Sequence, residues 1–283
     1  MNGTALSLVL VAAFVHAGWN FAAKRVHDGG ARFVFLYNTV SALACLPLAA
    51  VVLVAESERP QWTWLFAAVL TAVFHVLYGV VLQRGYRVGD LSIVYPLARG
   101  SGPLLSVFAA VVLFGERPGV PGLIGAVLIV GGVLLIGGGR GSGDRKAGIV
   151  YGLLTGVTIA AYTLWDDHSV NALAVPPIVY FTAGVVLQSA FLAPIALRQG
   201  ELAPLWRGHW RETVLVGVLS PVAYLLVLFA MRMAPVSLVA PAREVSIVLG
   251  GIAAWLALGE ANPGRRIAGS VVVLAGIAAI AAS

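Results

Sequence analysis

The chain is dominated by long runs of apolar residues that carry almost no charge. Of its 283 residues, 60% are hydrophobic and 11% are charged, which is more apolar surface than a soluble domain of this size can bury. Runs of about 18–25 apolar residues can cross a bilayer as helices, whereas barrel strands would alternate over roughly ten residues. The sequence therefore predicts an all-α integral membrane protein with ten transmembrane helices, at 4–23, 33–55, 62–82, 91–114, 119–138, 147–166, 175–197, 213–231, 236–259 and 265–282.

The chain also repeats itself. Polar and aromatic residues recur after 144–146 positions: His16, Trp19 and Asn20 as Tyr162, Trp165 and Asp166, Tyr78 as Tyr224, and Pro96 and Arg99 as Pro241 and Arg243. Five helices in each copy is an odd number, so the second copy enters the membrane from the opposite side. The glycine-rich, charged stretch 137–146 separates the copies. We expect two inverted repeats, 1–140 and 141–283, around a central cavity.

Basic residues are distributed unevenly between the two sets of predicted loops. Thirteen Lys and Arg residues lie in loops 1–2, 3–4, 5–6, 7–8 and 9–10, against three in the other set, Arg59, Arg117 and Arg232. The positive-inside rule places the first set in the cytoplasm and both termini outside the cell (inner) membrane. The net charge of +6 is spread over short loops, without the basic cluster that nucleic acid would require. The expected partners are the lipid bilayer and a small-molecule substrate.

Two arginines lie deep within predicted helices. Arg99 and Arg243 are each about seven to eight residues from a helix end, or roughly 11–12 Å at 1.5 Å per residue. Arginine at that depth costs about 2.5–3.5 kcal/mol even on the lenient insertion scale, so each is expected to face a wet cavity or a buried anion. Alternatively, the arginines pair internally. Glu244 points about 100° away from Arg243 on a helix and is a poor partner for it, but is a possible partner for Arg99.

Further polar residues are expected to face the same cavity. His16, Trp19 and Asn20 share one helical face, as do their counterparts in the second copy, and His75 lies one turn from Tyr78. The alternatives are interfacial anchoring for the tryptophans and a structural role for the histidines. The residues predicted to bind substrate are Arg99, Arg243, Glu244, His16, Trp19, Asn20, His75, Tyr78, Tyr95, Tyr162, Trp165, Asp166 and Tyr224.

Other repeated residues are given structural roles. Gly125 and Gly132 on helix 5, with Gly269 and Gly276 on helix 10, form small-residue stripes. Such stripes allow close helix packing, within the bundle or in a homodimer. Glu116 and Glu260 are expected to stabilise the N-termini of helices 5 and 10. Four prolines are expected to interrupt helices 4, 8 and 9, where each frees a carbonyl group, namely Pro96, Pro103, Pro221 and Pro241.

Four sequence runs resemble the EamA-type transporters of the drug/metabolite transporter superfamily. They are Leu-Phe-Gly-Glu116, Ala-Leu-Gly-Glu260, the run from His16 to Lys24 and the run Tyr-Thr-Leu-Trp-Asp166. The resemblance implies a ten-helix bundle whose cavity is lined by helices 1, 3, 4, 6, 8 and 9. It also implies export of metabolites, amino acids or drugs. Helix 1 lacks the glutamate that small multidrug exporters of the superfamily use, which disfavours export of cationic drugs.

The leading functional hypothesis is a secondary transporter that exports a small anionic or zwitterionic metabolite by alternating access. No Walker-type loop is present, so a gradient or exchange is expected to supply the energy, and no cofactor or metal is expected. The second hypothesis is efflux of aromatic or amphiphilic drug-like compounds. The third is an intramembrane enzyme that uses the compact cluster Asp166, Asp167 and His168.

Overall fold

The computed structural model describes residues 1–23, 25–26, 29–55, 59–137, 144–249 and 263–283. Within these ranges the regular structure is entirely helical. In chain order the helices are α1 (Gly3–Ala23), α2 (Gly30–Ala55), α3 (Trp62–Val88), α4 (Leu91–Leu113), α5 (Gly119–Gly137), α6 (Arg145–Asn171), α7 (Pro177–Arg198), α8 (Leu202–Met231), α9 (Val236–Ala242) and α10 (Pro263–Ala281).

Eight of the described helices, α1 to α8, are long and apolar enough to cross a membrane. The apolar part of α10, Ile267–Ala281, is shorter. The predicted ninth segment, 236–259, is described only as far as residue 249, where α9 is followed by a turn and a second helical stretch at 245–249. The prediction of an all-helical, multi-pass membrane protein is therefore confirmed.

The outer surface of the bundle is apolar. Large hydrophobic side chains are widely exposed, among them Phe14 (65%), Val54 (80%), Phe108 (67%) and Val120 (70%). A soluble protein rarely exposes extended apolar surface of this kind, because it would associate in water. A belt of such side chains is stable when lipid tails cover it, which agrees with the helix lengths.

The helices pack in pairs that join the two halves of the chain. α1 packs on α8 and α3 on α6, while α2 packs on α7. α2 also contacts α8, and α3 contacts α7. This arrangement places the middle of α1, α3, α6 and α8 around the centre of the bundle, where their few polar residues lie.

The glycine stripes bring α5 and α10 into close contact. A Cβ atom added to Gly125 would lie 2.6 Å from the carbonyl oxygen of Gly276, and one added to Gly132 would lie 2.6 Å from that of Gly269. Only glycine therefore permits this backbone approach. The stripes pack on each other within one chain. A homodimer stays a prediction.

The prolines disturb the helices less than the sequence predicts. α4 continues through Pro96 and Pro103, and α8 continues through Pro221. The one non-helical residue within α8 is His209, at φ −135° and ψ 29°. Of the four prolines, only Pro241 lies beside a helix end, since α9 ends at Ala242. The expectation of four interruptions is wrong because neighbouring groups in a membrane bundle can compensate for one lost backbone hydrogen bond.

Glu116 stabilises a different helix from the one predicted. Its two carboxylate oxygens accept hydrogen bonds from the backbone N–H groups of Val236 and Ser237, both at 2.9 Å. These groups begin α9, in the second half of the chain, rather than α5. Glu116 follows Gly115, which adopts a left-handed backbone conformation (φ 66°) between α4 and α5. A carboxylate at a helix N-terminus is as expected, but the helix that was predicted, α5, is wrong. The counterpart Glu260 lies outside the described residues.

The loop charges yield a test of orientation that uses two exposed glutamines. Gln61 precedes α3 in a loop predicted to lie outside, and Gln199 follows α7 in a loop predicted to be cytoplasmic. With Cys45 replaced by alanine, Gln61→Cys should react with a membrane-impermeant maleimide in intact cells, whereas Gln199→Cys should react only after the cells are permeabilised. The reverse labelling pattern would show that both termini are cytoplasmic.

Candidate functional site

A cavity of about 220 Å³ lies at the centre of the bundle. Its walls come from α1, α2, α3, α4, α6, α7 and α8, together with residues just after α9. The predicted lining helices all contribute. α2 and α7, which the sequence did not single out, contribute as well. Polar side chains from several helices therefore converge on one partly open cavity.

Arg99, Arg243 and Glu244 form an ionic cluster beside this cavity. Glu244 Oε1 lies 3.6 Å from Arg99 Nη1 and 3.9 Å from Arg243 Nε. The arginine side chains are 17% and 11% exposed, whereas Glu244 is 1% exposed. Both arginines line the cavity and Glu244 lies behind them. One buried carboxylate thus orients two guanidinium groups that face the cavity.

A break in the helix allows Glu244 to approach both arginines. α9 ends at Ala242, and Arg243 and Glu244 occupy the following turn, in which the Glu244 N–H donates to the Pro241 carbonyl at 3.0 Å. The expectation that Glu244 is a poor partner for Arg243 assumed a continuous helix with 100° between neighbouring residues. In the structure Glu244 Oε1 lies 3.9 Å from Arg243 Nε, which is closer than that expectation implies but longer than a hydrogen bond. The predicted approach of Glu244 to Arg99 is present.

The guanidinium groups form few hydrogen bonds with the described residues. A guanidinium has five N–H donors. Arg99 Nη2 lies 3.5 Å from His16 Nε2, and Arg243 Nη2 donates to Thr163 Oγ1 at 3.5 Å. The distances to Glu244 exceed the roughly 2.7–2.9 Å of a charge-assisted hydrogen bond. Most of the donors on both arginines are therefore available to an acceptor in the cavity.

Two further cavity residues carry unpaired donors. The buried Trp19 Nε1 and Asn38 Nδ2 have no hydrogen-bond partner among the described residues. Buried polar groups are almost always paired, so unpaired ones need an explanation such as an absent ligand or water. With the two arginines, they make the cavity rich in donors. Glu244 Oε2 is the one buried acceptor without a partner in the described part of the cluster.

Asp166 is the centre of a second polar cluster. Its Oδ1 atom accepts hydrogen bonds from the hydroxyls of Thr71 at 2.7 Å and Tyr180 at 2.5 Å, and its Oδ2 atom accepts one from Tyr224. Its side chain is fully buried. The three donors come from α3, α7 and α8, so one carboxylate on α6 connects four helices. Three hydroxyl donors stabilise a carboxyl group whose side chain is not exposed to solvent.

His75 extends this cluster to the cavity wall. Its Nε2 atom lies 3.1 Å from the Tyr224 hydroxyl, and its Nδ1 atom lies 2.9 Å from the backbone carbonyl oxygen of Thr71. Its ring stacks on Tyr162 with 4.3 Å between ring centroids. The guanidinium carbon of Arg243 lies 5.8 Å from the centroid of the same Tyr162 ring. Tyr162 therefore separates the two clusters and contacts both.

The structure gathers most of the predicted substrate-binding residues on the cavity wall: His16, Trp19, Asn20, His75, Tyr78, Arg99, Tyr162, Tyr224 and Arg243. The other four lie elsewhere. Glu244 and Asp166 are buried behind the wall, and Tyr95 is 37% exposed and does not line the cavity. Trp165 was expected to turn inward. Instead its Nε1 atom donates to the Ala67 carbonyl at 3.0 Å, because its face of α6 packs on α3.

Sequence reasoning missed several polar residues on the wall. They are Tyr37, Asn38, Ser41, Thr71, Tyr180, Gln188, Ser220 and Ser246. Asn38 and Gln188 could have been found, because an amide within an apolar run carries the same burial argument as the arginines. The hydroxyl residues gave no such indication. Serine and threonine can return their hydrogen bond to the helix backbone, as Ser41 does to Tyr37, and so are common anywhere in membrane helices.

The cluster Asp166, Asp167 and His168 does not form a compact acid–base centre. Asp166 points to α3, α7 and α8, while Asp167 Oδ1 accepts a hydrogen bond from Asn171 at 2.9 Å. His168 lies against the rings of Phe114 and Trp165. Three adjacent residues on a helix point in three directions, so these side chains do not converge on one reacting atom.

Comparison with known proteins identifies the family. The model of the EamA-like transporter family matches residues 3–138 and again residues 146–282. The chain belongs to this family. The EamA-like protein also resembles a solved structure, described only as the crystal structure of a protein, with a TM-score of 0.79 and 17% identity over 99% of this chain and 96% of the other. At that identity the likeness shows the fold alone. No curated protein sequence matches.

The shared carboxylate predicts an asymmetry in stability between two conservative variants of this EamA-like protein. Glu244→Gln leaves two buried cations without their anion, whereas Arg99→Gln leaves Glu244 paired with Arg243. Breaking a buried pair costs up to about 3–5 kcal/mol, so thermal unfolding in detergent should show the larger loss of stability for Glu244→Gln.

Adding Arg99→Gln to Glu244→Gln should restore part of the lost stability, because one of the two orphaned charges is then removed. A single Arg99→Gln variant that unfolds at or below the temperature of Glu244→Gln would contradict the bridging role of Glu244.

Proposed function

We propose that this protein is a secondary transporter in the cell (inner) membrane that exports a small anionic or zwitterionic metabolite by alternating access. The observation that carries the proposal is the pair of cavity-facing guanidinium groups, Arg99 and Arg243, whose N–H donors are largely unpaired among the described residues. Family membership supports transport. The chemistry of the cavity supports the substrate class.

A carboxylate or phosphoryl group matches the donors that the cavity presents. Arginine forms two parallel N–H···O bonds with such a planar or tetrahedral oxyanion. Trp19 and Asn38 can add donors to other oxygens of the same substrate. The ammonium group of a zwitterion can lie on the face of Tyr78, as cations do on aromatic rings.

The size of the cavity favours metabolites over drug-like compounds. Sites for drug-sized ligands measure about 300–1,000 Å³, whereas this cavity holds about 220 Å³. The aromatic wall formed by Trp19, Tyr78, Tyr162 and Tyr224 supports the second candidate, efflux of aromatic compounds. A small aromatic acid would satisfy both features, but a large amphiphile would not fit without expansion of the cavity.

The proposed mechanism rests on two inverted repeats of five helices each, 1–140 and 141–283, and hence on ten transmembrane helices. The contacts between α5 and α10 support this arrangement. Gly125 contacts Gly276, and Gly132 contacts Gly269. In the sequence repeat, Gly125 is equivalent to Gly269 and Gly132 is equivalent to Gly276. Equivalent positions exchange partners in this way across a twofold axis. Rocking of one repeat against the other would expose the cavity to each side in turn.

A binding screen tests the substrate class. Purified protein should be stabilised by glutamate, glycerol 3-phosphate or phenylalanine, because a ligand of the folded state raises its apparent stability. Lysine amide, choline and tryptamine should produce no shift at the same concentration. The screen is read as the change in unfolding temperature in detergent.

Arginine variants make the screen specific for the site. Arg243→Gln should weaken binding of the stabilising probe by about tenfold to a hundredfold, as expected for a lost charge-assisted hydrogen bond of about 1.5–3 kcal/mol. Arg243→Lys should rescue binding only in part. Arg207→Gln is the matched control, since Arg207 is exposed on α8. Equal stabilisation by tryptamine and by the acids, unchanged in Arg243→Gln, would contradict the anion site and favour the aromatic alternative.

A further inference from the structure

Asp166, Tyr224 and His75 form a continuous hydrogen-bonded chain that ends at the cavity. Tyr224 OH contacts Asp166 Oδ2 on one side and lies 3.1 Å from His75 Nε2 on the other. Asp166 is fully buried, whereas His75 lines the cavity. The anion-binding arginines do not require this chain, so it needs an explanation of its own.

The partners of this chain fix some of its hydrogen atoms. His75 Nδ1 lies 2.9 Å from the Thr71 carbonyl oxygen and 3.1 Å from Thr71 Oγ1. The carbonyl oxygen can only accept a hydrogen bond, so the closer contact favours the tautomer in which Nδ1 carries a hydrogen atom. Asp166 Oδ1 is already occupied by the hydroxyl hydrogens of Thr71 and Tyr180. The two remaining contacts, Asp166 with Tyr224 and Tyr224 with His75, share the single hydroxyl hydrogen of Tyr224.

One hydrogen atom cannot satisfy both contacts. If Asp166 is ionised and His75 Nε2 carries no hydrogen, then Tyr224 donates to one neighbour and turns an oxygen lone pair toward an unprotonated atom of the other. One additional proton resolves the conflict. It lies on His75 Nε2, which then donates to Tyr224 while Tyr224 donates to Asp166, or on Asp166, with both hydrogen bonds reversed.

We propose that Asp166, Tyr224 and His75 form a proton-binding site beside the cavity, and that its protonation is linked to binding in the cavity. The proton reaches His75 Nε2 from the cavity. Transfer to Asp166 then breaks the N–H bond of His75 and forms an O–H bond on Tyr224, while Tyr224 passes its own hydrogen to Asp166 Oδ2. One bond to hydrogen breaks and one forms at each step, and no other reactant is needed.

The helices packed on the site bring few other charged or titratable groups near it. α3 contributes no carboxylate but does contribute Tyr78, and α7 contributes Tyr180. α6 contributes Tyr162, which stacks on His75, and Asp167, which is bonded to Asn171. Across the Tyr162 ring lies Arg243, with Glu244 and Arg99 behind it and His16 beside Arg99. Asp166 and His75 are thus the acid–base pair that Tyr224 connects directly, and the ionic cluster of the cavity is the adjacent charge.

That adjacency couples the proton to the proposed substrate. Tyr162 stacks on His75 at 4.3 Å and carries the Arg243 guanidinium at 5.8 Å on its ring. A proton added to the chain raises the positive charge next to the arginines, so proton and anion favour each other's binding. This step rests on the proposed function, whereas the proton site itself does not.

Nuclear magnetic resonance of the histidine ring nitrogens tests the site without any substrate. Protein labelled with ¹⁵N-histidine is recorded over roughly pH 5 to 9, and the His75 resonances are assigned by comparison with His75→Gln. His75 Nδ1 should stay protonated throughout, while Nε2 should gain or lose a proton in a single step. Because no substrate is present, the result does not depend on whether the cavity binds anions.

Three variants show whether the step belongs to the chain. Asp166→Asn and Tyr224→Phe should each move its midpoint by about one pH unit or more, since one removes the charge and the other removes the bridge. Asp167→Asn, which changes the neighbouring carboxyl group, should leave the midpoint in place. If Asp166→Asn does not fold, Tyr224→Phe still decides. A His75 resonance that is constant over this range, or a step that is unaffected in Tyr224→Phe, would overturn the proposal.

Discussion

Two guanidinium groups lie inside a bundle whose outer surface is apolar, and the rest of the structure depends on how their charge is balanced there. A single carboxylate, Glu244, lies within salt-bridge distance of both Arg99 and Arg243. It cannot supply hydrogen bonds to most of their donors. The rest of the arrangement follows: the helix break after Ala242 that positions Glu244, the cavity that keeps the arginines partly exposed, and a chemical requirement for an acceptor within it.

The second polar cluster, around Asp166, holds a buried acidic side chain in place of the buried arginines. Asp166 is fully buried, and hydroxyl groups from α3, α7 and α8 surround it. These helices therefore share a hydrogen-bonded centre in addition to their apolar contacts. Because Tyr162 lies between this centre and Arg243, a change of charge in one cluster acts on the other at short range. Proximity of this kind is what coupled binding of two ligands requires.

The presence and approximate bounds of the membrane-spanning helices were predictable from the sequence, because the length of each apolar run decides them. The bounds of α1 to α8 lie close to the apolar runs, although α8 begins earlier than predicted, at Leu202. Contacts between residues that are far apart in the sequence were harder to predict. Glu116 stabilises α9, about 120 residues further along the chain, and the glycine stripes could be found but not their mutual contact. Contacts of this kind depend on packing, which sequence periodicity does not encode.

Residues of the site were predicted where burying the polar side chain costs much free energy, and missed where burying it costs little. The arginines were found on that basis, and His75 and Tyr224 through the repeat and their spacing, whereas hydroxyl residues of α2 and α7 were not found. The repeat register was also ambiguous near Arg99. A shift of 144 pairs it with Arg243, while the shift of 145 that relates Pro96 to Pro241 pairs it with Glu244. The structure shows that Arg99 and Glu244 lie in contact.

The central claim is that the arginine cluster selects anionic groups, and a transport measurement on a mixture of natural solutes tests it most directly. Proteoliposomes that contain the protein are incubated in a deproteinised cell extract, and the accumulated solutes are identified by mass spectrometry against protein-free liposomes. The account predicts enrichment of small compounds with a carboxylate or phosphoryl group, lost in Arg243→Gln and retained in Arg207→Gln. Enrichment of only neutral or cationic compounds, equal in all three proteins, would contradict it.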